Sequence, residues 1–232
     1  MKRFWREVAV AHDAGGWGIT LDARPVRTPG RAALAIPTQS LAEAIASEWR
    51  EVGDTIDPRA MPLTGLANAA IDRIAPDGAG FAAGLARYAE SDLLCYRAVD
   101  PPPLVARQAA AWQPLLDWAQ ARYDVHFAVT AGVLPVAQPP TTIARLGEAI
   151  AAQPPFALAP LSIVTTLAGS LVIALALAEQ AFPADVLCGA ATLDETWQAE
   201  LWGDDSEAAA SRAVRTREYA DAVRFLEALR DA

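Results

Sequence analysis

"REVAVAHDAGGWGITLD", residues 6–22, alternates apolar and polar positions on either side of Ala14-Gly15-Gly16. Glycine reaches the positive φ values that tight hairpin turns need, so the stretch reads as two antiparallel strands joined at 14–16. RPVRT (24–28) and AALAIPT (32–38) continue the pattern, broken by Pro25, Pro29-Gly30 and Pro37. The expectation is an antiparallel sheet of about three or four strands, too small to be stable uncovered. TQSLAEAIASEWREV (38–52) supplies the cover. Leu41, Ile45, Trp49 and Val52 recur at helical spacing and should lie on the sheet, and Ser40 with Glu43 reads as a capping box.

Gly53 to Pro62 is rich in turn residues and marks the expected domain junction. Beyond it the pattern is helical, over 63–75, 78–90, 104–122, 141–152, 158–180, 184–201 and 205–230, punctuated by the prolines at 101–103, 139–140 and 154–155. VHFAVT (125–130) and GVLPV (132–136) could form one isolated hairpin. The fold class is therefore α+β: a small β-rich domain over 1–60 and a larger helical domain over 61–232. Residues 149–178 carry no charge, and LSIVTTLAGSLVIALALA within them approaches the length needed to cross a bilayer. Ser162, Thr165, Thr166 and Ser170, the lack of a flanking basic cluster, and Glu179 directly after favour a helix enclosed by other helices over membrane insertion.

With 53% apolar and 20% charged residues, the 232-residue chain falls among soluble globular proteins. The net charge of −9 resides in residues 67–232, which hold eleven basic and twenty acidic side chains against eight and eight in 1–66. Such a balance repels nucleic-acid phosphate and anionic lipid, and suits a basic or polar protein surface better. Cys95 and Cys188 lack CxxC spacing and read as small buried apolar residues of a reducing, intracellular compartment. The start, MKRFWREVAV, has neither a signal h-region nor a presequence composition, as expected of a bacterial cytoplasmic protein or an already trimmed form.

Catalytic apparatus is sparse. Lys2 is the only lysine, which excludes a phosphate-loop or Schiff-base lysine inside the fold, and neither GxGxxG nor G-x-S-x-G occurs. His12 and His126 have no metal-ligand spacing, so neither a metal nor a cofactor is expected. Arg24, Arg27 and Arg31 form a local basic cluster, read either as solvated arginines paired with nearby carboxylates or as a contact for an acidic partner patch. Trp112 and Trp118 fit a helical core stripe.

LDETWQAELWGDDSEAAA (193–210) holds six acids and no base. Asp204 with Glu207 reads as a capping box for the last helix, Asp205 lies in its first turn, and Asp185 begins the preceding helix, so these four need no further role. Asp194, Glu195 and Glu200 fall mid-helix or later in a helix over 184–201, where the dipole gives carboxylates no help. On a helical wheel Leu193, Trp197 and Leu201 form one stripe; Cys188, Ala191, Glu195, Gln198 and Trp202 form a second. Asp194 and Glu195 diverge by about 100°, a poor geometry for a metal or an acid–base pair. A solvated helix face and a protein-docking surface, with Glu195 as a charged acceptor beside an indole, both fit these residues. The enzymatic alternative is a small hydrolase or isomerase using Asp194 or Glu195 with His126.

Taken together, RFW (3–5), LDARPVRTP (21–29), EW (48–49), MPLTGLANAAID (61–72), DLLCYR (92–97), WQPLLDW (112–118), AGSL (168–171) and DETWQAELWG (194–203) resemble the family of assembly chaperones for the alpha subunit of the F-type ATP synthase head. Ala23 stands where that family commonly has glycine, and Ala168 where threonine is usual. The resemblance implies a non-enzymatic monomer without cofactor that holds the free alpha subunit until a beta subunit replaces it. It also implies a cytoplasmic location in bacteria and the mitochondrial matrix in eukaryotes. It carries a partner-binding role onto Asp194 and, above all, Glu195. The residues themselves, not the resemblance, add Trp197, Gln198 and Trp202 on the same helix, and Arg24 and Arg27 as the contact for an acidic partner patch.

Overall fold

A computed structural model describes residues 2–132, 134–203 and 206–231. The fold is α+β, with a small antiparallel three-stranded sheet near the N-terminus and a larger helical region. The chain divides into two compact units, one formed by residues 1–78, 154–160 and 220–232, the other by 79–153 and 161–219.

In the first unit, β1 (Val8–Asp13) and β2 (Gly16–Leu21) pair from Val8↔Leu21 to Asp13↔Gly16, the hairpin anticipated from Ala14-Gly15-Gly16. β3 (Arg24–Pro25) extends the sheet through a two-residue turn at Asp22 and Ala23, with φ of +48° and +66°. A Cβ makes that left-handed backbone costly, by about 1 kcal/mol, which accounts for glycine as the better residue at position 23. The Asp22 carboxylate steadies the turn by accepting the Arg6 and Glu7 amides at 3.0 and 2.9 Å, and these bonds hold its pKa below the usual carboxylate value. The remaining extended stretch contributes only single bridges, Trp17↔Ile36 and Arg27↔Ala33.

Helix α1 (Gln39–Glu51) packs on the sheet through buried Leu41 and Ile45. Its cap is Thr38, whose hydroxyl accepts the Leu41 amide, so the expected Ser40–Glu43 box does not form. Thr38 has the extended backbone of an N-cap, which aims its hydroxyl at the free amides of the first turn; Glu43 instead pairs with Arg50 at 3.0 Å. Glu48 points inward. Its buried carboxylate accepts the amides of Leu63 and Thr64 at 2.7 and 2.8 Å and the Thr64 hydroxyl at 2.7 Å. It thus caps α2 (Pro62–Ala69), which has no side-chain cap of its own. Asp72 does the same for the Thr28–Gly30 turn, accepting the Thr28 hydroxyl at 2.7 Å and the Gly30 amide at 2.8 Å.

The second unit comprises α3 (Gly78–Ala86), whose first residue lies in the first unit, then β4 (Tyr96–Arg97), α4 (Pro102–Tyr123), β5 (Thr130–Ala131), α5 (Pro140–Ala151), most of α6 (Pro155–Ala168), α7 (Leu171–Ala178), α8 (Ala184–Ala191) and α9 (Leu193–Trp202). It also includes the first part of α10 (Ser206–Arg230). The helices expected over 158–180 and 184–201 are each two helices. Gly169, at φ +60°, ends α6; Ser170 then caps α7 by accepting the Ile173 amide, and Thr192 separates α8 from α9. Every residue of α7 through Leu177 is buried, which explains its uniform hydrophobicity. No helix among the described residues is long and apolar enough to cross a membrane. The hairpin anticipated over 125–136 is absent among its described residues; β5 runs parallel to β4 instead, completing backbone bonds that a lone hairpin would leave exposed.

Asp92 ties this unit together. Fully buried, it accepts the amides of Leu94 (3.1 Å) and Val172 (3.0 Å), capping both the short turn at 93–95 and α7. Burial raises its pKa from 3.8 to about 6, against the pull of these bonds and of Ser170. The native carboxyl keeps its proton to higher pH than the unfolded one, so this group's stabilisation is complete below about pH 4 and is lost as pH rises through 6. Urea unfolding at pH 4, 5, 6 and 7 should therefore show the stability gap between wild type and Asp92→Asn narrowing as pH rises.

Candidate partner interface

Helix α9 begins at Leu193, after a break at Thr192 that ends α8, and this break decides where its acids sit. Asp194 and Glu195 occupy the first turn of α9, not the middle of a longer helix as expected. The positive end of the helix dipole favours both carboxylates there. Their placement in the helix is thereby explained, and any further role must come from what each side chain meets.

One face of α9 is clamped to α4. Asp194 accepts a hydrogen bond from buried Gln108 Nε2 at 2.7 Å, and Gln108 Oε1 accepts the Ala98 amide at 2.7 Å. Arg107 lies over the Trp197 ring, 5.1 Å from its centroid, and pairs with Glu200 at 2.8 Å. Fully buried Trp112 donates to the Ala190 carbonyl at 2.8 Å, fixing α8 beside the same helix. Leu193 is buried on this side, whereas Leu201, expected on the same apolar stripe, is exposed.

The opposite face is open. Glu195, Gln198, Ala199, Trp202 and Gly203 line a cleft of about 520 Å³ facing Ala208, Ser211, Arg212 and Arg215 of α10. A second cleft, about 270 Å³, shares Glu195, Arg212 and Arg215 and is completed by Cys188, Ala191, Thr192, Thr196, Thr216 and Tyr219, among others. Trp202 is 79% exposed, a large apolar surface for a side chain in a folded domain. Glu195 forms an ion pair with Arg215, each side chain about 40% accessible. The stripe that joins Cys188, Ala191, Glu195, Gln198 and Trp202 thus faces these clefts despite the break at Thr192.

Other anticipated residues lie elsewhere. Asp194, Trp197 and Glu200 engage α4. Arg24 and Arg27 are exposed in the first unit; neither has an ion pair among the described residues, and Arg27 donates to the Arg31 carbonyl at 3.0 Å. His126 is exposed between α4 and α5 and lines neither Glu195 cleft. Cys95 is buried and Cys188 half-buried, and burial pushes the Cys95 thiol up to about 12. Asp204 and Asp205, and with them the anticipated cap of the last helix, fall outside the described residues. Sequence reading missed Arg107, Gln108 and Arg215. A glutamine on the buried stripe of Trp112, Leu115 and Ala119 was the available signal for Gln108; nothing in the chain singles out Arg215 among the arginines of α10.

The fold is α+β, and the open face of α9 carries a carboxylate and an exposed indole. A family model described as ATP12 chaperone protein matches residues 2–120. The crystal structure of Atp12 from Paracoccus denitrificans superposes with a TM-score of 0.93 at 43% identity, covering 99% of this chain and 98% of that one. A provisionally described chaperone of Agrobacterium tumefaciens, Atu1473, superposes at 0.92 with 41% identity, covering 99% and 86%. The chain belongs to the ATP12 chaperone family.

The two neighbouring acids should separate on mutation. Asp194→Ala strands the buried Gln108 amide and should cost about 1–3 kcal/mol in urea unfolding. Glu195→Ala breaks only a solvated pair and should cost about 1 kcal/mol or less.

Proposed function

We propose that this protein is a non-enzymatic assembly chaperone that binds the unassembled alpha subunit of the F-type ATP synthase head until the beta subunit replaces it. Membership of the ATP12 chaperone family supports an ATP synthase client, and the open α9 face supports direct binding to it. The observation that carries the reading is the half-accessible Glu195 with Gln198 and the exposed Trp202 along one cleft. An indole supplies area at low entropic cost, while a carboxylate adds orientation and charge selectivity.

An unassembled subunit exposes an interface of the obligate kind, large and apolar, which promotes aggregation. Its chaperone must cover that surface yet bind less tightly than the true partner, so that exchange runs forward. Partly solvated polar anchoring meets this requirement better than a fully apolar seal. Arg24 and Arg27 form a second contact in this reading, for an acidic patch of the client. The protein acts as a monomer without cofactor, in the bacterial cytoplasm.

Co-expression with the alpha subunit tests the proposal. Wild type should raise the soluble alpha subunit by about threefold or more, and Glu195→Lys, with an unchanged circular dichroism spectrum, should abolish the gain. No increase with wild type removes the client; equal rescue by Glu195→Lys removes the α9 face.

A further inference from the structure

The two clefts beside α9 share Glu195, Arg212 and Arg215, and the Glu195–Arg215 ion pair stands in this common wall. They are two ends of one trough between α9 and α10, interrupted by a bridge of the protein's own side chains. The geometry points to a binding site for a basic side chain of the client, in which a client arginine or lysine replaces Arg215 on the Glu195 carboxylate. This deepens the chaperone reading and rests on it for the identity of the client.

The free protein already shows what Glu195 accepts, because its carboxylate holds a guanidinium. The exchange is asymmetric. One turn from Glu195 on its own helix lie only Ala191, Thr192, Gln198 and Ala199, so the carboxylate has no alternative cation there. Arg212, which also lines both clefts, is itself engaged in an interaction. Displaced Arg215, by contrast, has Glu218 three residues on along α10, within reach of an i,i+3 pair. Both side chains of the existing bridge are about 40% accessible, so solvent screens it and its loss costs little.

The trough also fixes what flanks the cation. Trp202 is seven residues beyond Glu195, two turns along the same face, and mostly exposed. Tyr219, Thr196 and Thr216 line the other end, with the Tyr219 hydroxyl donating to the Ala184 carbonyl at 3.2 Å. A client segment with a basic side chain at its centre and an apolar one toward Trp202 matches this order. A segment led by a carboxylate would have to meet Glu195 in the common wall of both clefts.

The test uses the full chain and two probes. N-acetylarginine amide, with its neutral citrulline counterpart as control, is titrated while the Trp202 indole N–H is followed by NMR in wild type, Arg215→Gln, and the Glu195→Gln/Arg215→Gln double variant. Purified alpha subunit is titrated against the same proteins and Glu195→Gln. Removing the competing arginine should tighten binding of the arginine amide by about two- to fivefold, the range set by a solvated ion pair. Citrulline amide should not titrate, nor should the double variant respond to the arginine probe. Arg215→Gln should bind the alpha subunit tighter by a similar factor, and Glu195→Gln weaker by about tenfold, as loss of a charge-assisted hydrogen bond requires. Equal arginine-amide binding by Arg215→Gln and the double variant overturns the site, as does weaker alpha-subunit binding by Arg215→Gln. If the alpha subunit ignores wild type while the arginine amide behaves as described, the cation site holds and the assignment of the client fails.

Discussion

The two-sidedness of α9 is the constraint on which the functional reading depends. Ten residues of helix carry Asp194, Glu195 and Glu200 together with Trp197 and Trp202, and their division between two faces gives them different roles. The α4 side is anchored by the Gln108–Asp194 hydrogen bond, by Arg107 over Trp197 and by the Arg107–Glu200 pair. The exposed pair and the cation–π contact each contribute about 1 kcal/mol or less, and the hydrogen bond to buried Gln108 is the strongest of the three. Together they fix the rotation of the helix, and that rotation turns Glu195, Gln198 and Trp202 outward.

Buried carboxylates used as helix caps hold each unit in shape. Glu48 caps α2 from the middle of α1, and Asp92 caps α7 from a loop. Neither arrangement minimises desolvation, and burial is the largest influence on both groups, raising their pKa values. What they gain is several strong amide donors each: Glu48 closes α2, which has no side-chain cap of its own, and Asp92 takes the Val172 amide of α7 beside the Ser170 cap. The same logic makes EW, MPLTG and DLLCYR more than arbitrary strings: the acid of one motif closes the helix or turn begun by another.

Much of the architecture was legible because it follows from local rules. Alternation around Ala14-Gly15-Gly16 gave the hairpin, and the spacing of Leu41 and Ile45 gave the covering helix. The Gly169-Ser170 pair is a helix stop and restart that the uncharged, largely apolar sequence around it disguised as one long helix. The break at Thr192 had no such marker, since neither glycine nor proline stands beside it, and it moved Asp194 and Glu195 into a first turn. The wheel still grouped Glu195 with Gln198 and Trp202 because those three lie within α9. Partners distant in the chain could not be read locally: Gln108 for Asp194 is 86 residues away and Arg215 for Glu195 is 20.

On this reading the Glu195–Trp202 side of α9 should meet the client while the α4 side stays engaged within the protein. Site-specific photocrosslinking in the complex with the alpha subunit tests it most directly, with benzoylphenylalanine placed in turn at 198, at 202 and, facing α4, at 197. Crosslinks to the alpha subunit from 198 and 202, and only internal ones from 197, are the predicted result. Capture of the alpha subunit from 197, with none from 198 or 202, would contradict the account.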